Sequence, residues 1–329
     1  MRHVAWGLAL AGLALAVILF ARSDVGALVA LLLTAGPGLL LASLFHLVPM
    51  IANARGWQRL LPAAQRPGLG VMTRATWIRE SVNGLLPVAR IGGEIVAYRI
   101  LRRHVEHRSD AAASLVADMT LSVLSQSAFA LWGLGLLFAN GRSSANGREL
   151  LIGVLAMAAL GAGFILVQRR DVFGALTGAL DRLFEGRLAL PHSGSRRFDQ
   201  TLRAVYARHV DVGMCLAWQL AGWVLGSGEI WLALQFLGGP RSVLDAVTIE
   251  ALIQAVSSAA FMVPAAIGVQ EGAFVLIGAA LGIDTTTALA LATARRLRDA
   301  VIFFPGLLAW QQTETRLRQA SSAGDTRLR

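Results

Sequence analysis

Apolar residues fill long stretches of this chain with little interruption. Six stretches, residues 4–20, 25–52, 111–139, 150–167, 210–237 and 286–311, have roughly the length of a bilayer-crossing helix, which needs about 20 residues. Strands of a membrane barrel would instead alternate apolar and polar positions over shorter segments. The pattern predicts one integral membrane domain over residues 1–329, all-α and polytopic, with about six full transmembrane helices. The first run follows Arg2 and His3 as a secretory signal would. From Val4 to Ala21 it is longer than a signal's apolar core of about 7–15 residues, so a retained first helix is expected.

Two further segments break the pattern. Residues 83–101, NGLLPVARIGGEIVAYRIL, set Arg90, Glu94 and Arg99 among apolar residues, with Pro87 and the pair Gly92-Gly93. As a full crossing, this segment would bury Arg90 and Glu94 at mid-membrane, at ~2.5–3.5 kcal/mol each. A re-entrant hairpin or broken helix avoids that, because irregular backbone at membrane depth survives where protein or a water-filled cavity satisfies it. Residues 249–282 contain VPAAIGVQEG, with Pro264, Gly268, Gln270 and Glu271. In both segments a glutamate follows a proline by seven residues, with an Ile-Gly pair between them. The first is expected to enter from the cytoplasmic side and the second from outside, as an inverted repeat around a midplane site. Proline interrupts the hydrogen-bond ladder, glycine lets backbone approach a ligand, and freed helix N-termini favour anions. The plainer alternative is that these residues merely kink packed helices.

Composition supports a membrane class: 55% of residues are hydrophobic, 15% are charged and mean hydropathy is +0.59. Soluble domains carry about 25% charged residues. The net charge is +10 and all 30 basic residues are arginine. With the N-terminus cytoplasmic and 83–101 re-entrant, 21 arginines fall inside and 4 outside, the other five lying in the irregular segments or early in the last span. This is the bias of an inner-membrane protein with both termini cytoplasmic, and not of a nucleic-acid binder. Within the inside segments, 49–81 reads as a loop, residues 171–190 as a surface amphipathic helix, and PHSGSRR as a short turn, the whole link covering 169–209.

Other polar residues lie within spans. Asp118 sits near the start of its span, as an interfacial residue or one with a role. Glu229 is deeper and calls for an arginine partner, with Arg90 the one named. TARRLRDA places Arg295, Arg296, Arg298 and Asp299 early in the last span, where Arg295 and Asp299 can pair four apart. That cluster is either a headgroup anchor at the interface or a gate. Cys215 is the only cysteine and the six histidines show no metal-ligand spacing, so no disulfide, metal or cofactor is expected. There is no P-loop and no GxSxG, and no catalytic residue is assigned.

SVNGLLPVARIGGEIVAYRIL, FMVPAAIGVQEG and ATARRLRDAVIFFPGLLAW resemble the flippase-type transmembrane domain of lysylphosphatidylglycerol synthase over nearly the whole chain. The wording is nearest the free-standing subgroup associated with hopanoid biosynthesis. The resemblance implies a lipid-handling domain and carries its motif onto Asn83, Pro87, Arg90, Gly92, Gly93, Glu94, Pro264, Gly268 and Glu271. Only 18 residues follow Gln311, so the synthase's soluble aminoacyl-transferring domain and its activity are not expected. Three functions fit: a translocator or transport component for an amphiphilic lipid, an intramembrane enzyme using Glu94 and Glu271 on a polyprenyl or hopanoid headgroup, or a scaffold for lipid-synthesis membrane proteins.

Overall fold

The computed structural model describes residues 2–86, 92–139, 192–260, 263 and 266–326. Within them the chain forms helices and turns and no strand. In order these are α1 (Arg2–Ala21), α2 (Val25–Ala35), α3 (Pro37–Phe45), α4 (Leu47–Arg59), α5 (Leu69–Leu85), α6 (Gly92–Leu101), α7 (Arg108–Ala139), α8 (His192–Ala207), α9 (His209–Phe236), α10 (Val243–Ala259), α11 (Val269–Ala280), α12 (Thr285–Arg298) and α13 (Phe304–Thr326). A π-turn, Asp299–Phe303, joins the last two.

Local chemistry sets several boundaries. Asp24, Ser242 and Asp284 cap α2, α10 and α12 by accepting from Ala27, Asp245 and Thr287 amides. Pro49 lacks the N–H that the Phe45 carbonyl would accept, and the α3–α4 joint falls there, at His46. Pro305 likewise withholds an N–H from Val301, inside the π-turn.

Six clear spans are not met among the described residues. Two helices are long and apolar enough to cross, Pro37–Arg59 and Arg108–Ala139, and a third counts if Gly12–Ala21 and Val25–Ala35, bent by 91°, form one span. The expected run 25–52 is divided by a turn at Gly36. The runs 210–237 and 286–311 do form helices, but they bury Gln219 and Glu229, and Arg295 and Arg298, which lowers their apolar character. The run 150–167 and the amphipathic segment 171–190 lie outside the described residues. The loop expected at 49–81 is largely α4 and α5, and PHSGSRR is mostly the start of α8 rather than a turn. Both irregular segments are helix–break–helix, α5 to α6 and α10 to α11.

Packing forms two large apolar clusters. One gathers α2, α3, the end of α7, the second half of α9, and α10 to α12, around Leu134, Ile253, Phe274 and Leu289. The other gathers α4 to α6, the start of α7, α8 and the start of α9, around Trp57, Met72, Ile78 and Leu101. The helices α7 and α9 contribute to both. Arg66 and Arg208 tie the end of α4 to the start of α9, donating to the Leu61 carbonyl and to Asp211. The outside stays greasy, with Leu33 75%, Leu276 65% and Phe304 59% exposed, as lipid contact requires and water would penalise.

Helices α3 and α9 interlock through small residues. A Cβ on Gly38 would stand 2.4 Å from the Phe236 ring, and one on Gly228 would stand 2.5 Å from the Phe45 ring. Gly38→Ala should therefore cost about 1–3 kcal/mol. Gly135→Ala, with nothing within 4 Å of the new methyl, should be neutral or slightly stabilising. Thermal unfolding of the two variants in one detergent checks the contrast.

Candidate functional site

Between the two apolar clusters lies a cavity of about 630 Å³, bounded by α4, α5, α6, α7, α9, α10, α11, α12, the π-turn and the segment between α10 and α11. Its polar wall is made of stripes at helical spacing: Arg79 and Asn83 on α5, Asp118, Ser122 and Gln126 on α7, and Glu250, Gln254 and Ser257 on α10. Positions three and four apart share a helix face, so each stripe turns one face of an apolar helix inward.

The first charged group is built on Arg79. It donates to Asp118 at 2.7 Å and lies 3.7 Å from Glu94 and 4.9 Å above the Trp57 ring. Gln219 holds the other Asp118 oxygen at 2.8 Å. Asn83 joins the two sides of the first break: its carbonyl accepts the Gly93 amide at 2.9 Å while its amide donates to Glu94 at 3.2 Å. The approach is close enough that a Cβ on Gly93 would lie 2.3 Å from the Arg79 carbonyl oxygen. Asn83 thus caps the start of α6, and Glu94 sits in its first turn, where the helix dipole favours an anion.

The second group is built on α12. Arg295, 2% exposed as a side chain, pairs with Glu250 and lies 3.5 Å from Glu229. Arg298 lies 3.8 Å from Glu229 and 2.9 Å from Asp299. His46 stands 3.1 Å from Glu229 and 3.7 Å from Glu80. Arg296 grips Glu271 at 2.7 and 2.9 Å, and the other Glu271 oxygen accepts the Gly268 amide at 2.7 Å. Gly268 adopts φ +79°, open to glycine at little cost, and Glu271 caps α11 as Asn83 and Glu94 finish α6.

A family model described as lysylphosphatidylglycerol synthase TM region matches residues 4–306. The chain belongs to that family. The match contains every residue that lines the cavity. Membership makes this a multi-pass membrane protein with a lipid-related role. No curated protein and no solved structure matches the chain.

For this family member, the cavity gathers many of the residues singled out in sequence. Asn83, Glu94, Gln270, Arg295, Arg298 and Asp299 line it, Gly92 and Gly93 open α6 beside it, and Gly268 and Glu271 hold the second break. Arg99 does not line it; it is half exposed and pairs with Glu314 of α13 at 3.0 Å. Pro87, Arg90 and Pro264 lie outside the described residues. Arg295 does not take the partner four residues on: it pairs with Glu250 and Glu229, leaving Asp299 to Arg298 and Arg296. Glu229 does find arginines, Arg295 and Arg298. Asp118 is fully buried within the protein, on the cavity wall.

Four participants escaped the sequence reading: His46, Arg79, Glu80 and Glu250. By sequence Arg79 belongs to the run of loop arginines in 49–81. The signal that could have found it is its position four before Asn83, which puts both on one helix face.

Removing one partner of a buried ion pair strands the other charge, at about 3–5 kcal/mol. Arg79→Ala should lose that much against Asp118, while Arg79→Met with Asp118→Leu should recover only part of it, because Glu94 still lacks its arginine. Unfolding midpoints of the single and double variants check this.

Proposed function

We propose that this protein binds a membrane lipid and moves it across the bilayer, holding the headgroup in the cavity while the tails stay in the membrane. The observation that carries this reading is the cavity of about 630 Å³, walled by charged side chains from both helix–break–helix segments. Its size is within the roughly 300–1,000 Å³ of small-ligand sites. The exterior around it is apolar, so a lipid can present its headgroup without exposing its tails to water. Family membership supports a lipid as the cargo.

The charges favour a class of headgroup. Among the described residues, four arginines and His46 face seven carboxylates: Glu80, Glu94, Asp118, Glu229, Glu250, Glu271 and Asp299. Each of these arginines already has an acidic neighbour. A headgroup rich in hydrogen-bond donors, a polyol or an amine, therefore suits the wall better than a bare phosphate. A hopanoid polyol is the first lipid to try, on the motif wording noted above. Residues 83–101 and 249–282 act as two re-entrant halves of an inverted repeat. Arg90 and the two prolines belong to this site by motif. The arginine distribution supports a bacterial inner-membrane location with both termini cytoplasmic. Membrane proteins of lipid synthesis are the expected neighbours. Glu94 and Glu271 have separate partners, Arg79 with Asn83 and Arg296 with Gly268, so the acid–base enzyme reading gains no support from their surroundings.

Reconstitution into vesicles with headgroup-labelled hopanoid polyol, aminolipid and phosphatidylglycerol tests the reading. Translocation of a polyol or amine lipid is expected, slowing at least about tenfold, a barrier raised by ~1.4 kcal/mol, in Asn83→Ala/Glu94→Gln that still unfolds cooperatively. No protein-dependent movement of any of these lipids would overturn the function; an unchanged rate in the variant would overturn the site.

A further inference from the structure

His46 occupies the joint between α3 and α4, midway along the apolar helix Pro37–Arg59. A carboxylate stands toward each ring nitrogen: Nδ1 is 3.1 Å from Glu229 of α9, and Nε2 is 3.7 Å from Glu80 of α5. Carboxylates accept and do not donate, so this pair suits an imidazolium with both nitrogens protonated. Arg298 of α12 asks for the opposite. Its Nη1 is 3.0 Å from both ring nitrogens, over the ring and not along either lone pair, and a guanidinium that close repels a second positive charge, so it favours the neutral ring. The two arrangements compete for one ring.

Arg298 has somewhere else to go. Its Nη2 is 2.9 Å from Asp299, the residue that opens the π-turn. The turn also presents the Ile302 carbonyl, which accepts from Trp77 Nε1 of α5 at 2.7 Å. The remaining charges around the ring are committed nearby: Arg295 to Glu250 and Glu229, and Arg296 to Glu271, with Asp299 3.8 Å away. Single π-turns in long helices are places where a helix can shift register, and they concentrate at functional sites.

We propose that His46 is a proton-binding site whose occupancy moves Arg298 between Glu229 and Asp299 and thereby shifts the π-turn wall of the cavity. With the ring neutral, Arg298 shares Glu229 and lies against the imidazole. When a proton enters through the cavity, the imidazolium donates to Glu229 and Glu80. Arg298, now facing a like charge, withdraws to Asp299. One positive charge is added beside two carboxylates, and no other group changes protonation. The use of this switch to drive transport rests on the lipid-translocation reading; the proton binding and the movement do not.

The test uses the full chain in lipid nanodiscs. Imidazole ¹⁵N resonances report histidine protonation, with His46 assigned by its loss in His46→Gln. A 5-fluorotryptophan label reports the π-turn, with Trp77 assigned by Trp77→Phe. His46 should show one protonation transition between about pH 5 and 8, and the Trp77 resonance should move with the same midpoint. Glu80→Gln, at a side chain 26% exposed and so mild for folding, should shift both midpoints to lower pH by removing an anion beside the imidazolium. His46→Gln should abolish the Trp77 transition. A His46 ring that keeps one protonation state throughout that range, a Trp77 signal that ignores it, or a Trp77 transition that persists in His46→Gln would each overturn the proposal. If both transitions occur while vesicles show no lipid movement, the proton site stands and the transport reading falls.

Discussion

The pairing of buried arginines with carboxylates is the constraint on which the rest of this structure depends. Arg79, Arg295, Arg296 and Arg298 sit inside a chain whose outer surface is apolar. An unpaired ion there would cost several kcal/mol, more than a helix-packing contact returns. Each is met by acids from other helices: α6 and α7 for Arg79, α9 and α10 for Arg295, α11 for Arg296. The Arg79 pairs join helices of one apolar cluster and the α12 pairs join helices of the other, while His46, between Glu229 and Glu80, links the two sides. The cavity is the space the pairs leave between those clusters.

The two breaks follow from the same demand. A helix that stops inside the protein exposes amides that need acceptors. At the first break Asn83 supplies one to Gly93, and at the second Glu271 supplies one to Gly268. Both capping residues also touch the charged network, Asn83 through Glu94 and Glu271 through Arg296. Backbone irregularity and ion pairing are therefore one construction. It provides a polar chamber inside a chain whose outer surface is apolar.

Much of this was legible in sequence, for identifiable reasons. The all-helical membrane class follows from long apolar runs. The breaks follow from proline, glycine and glutamate where a plain span would have none, and Glu94 and Glu271 both prove to be first-turn acids. The number of spans was not legible, because hydropathy cannot tell a helix facing lipid from one facing a polar cavity. The helices α9 and α12 read as ordinary spans although they carry Glu229 and Arg295 inward. Segment 49–81 was misread for the converse reason: five arginines suggested a loop, while Arg79 points into the protein from α5. Partners were not legible either. Asp118 and Arg79 are 39 residues apart, and Arg298 and His46 are 252 apart. Only packing joins them. The stripe Glu250, Gln254, Ser257 could have been read, since its spacing places three polar groups on one face of an apolar helix.

The central claim is that the chamber holds a lipid headgroup. A photo-crosslinking residue at Ser257, which lines the cavity and is 6% exposed, addresses it directly, with Leu276, 65% exposed on the outer surface, as the reference. Irradiation in native membranes followed by mass spectrometry of the adducts should give one predominant lipid class at position 257 and a mixture reflecting bulk membrane at position 276. Bulk composition at both positions, or no lipid at position 257, would contradict the account.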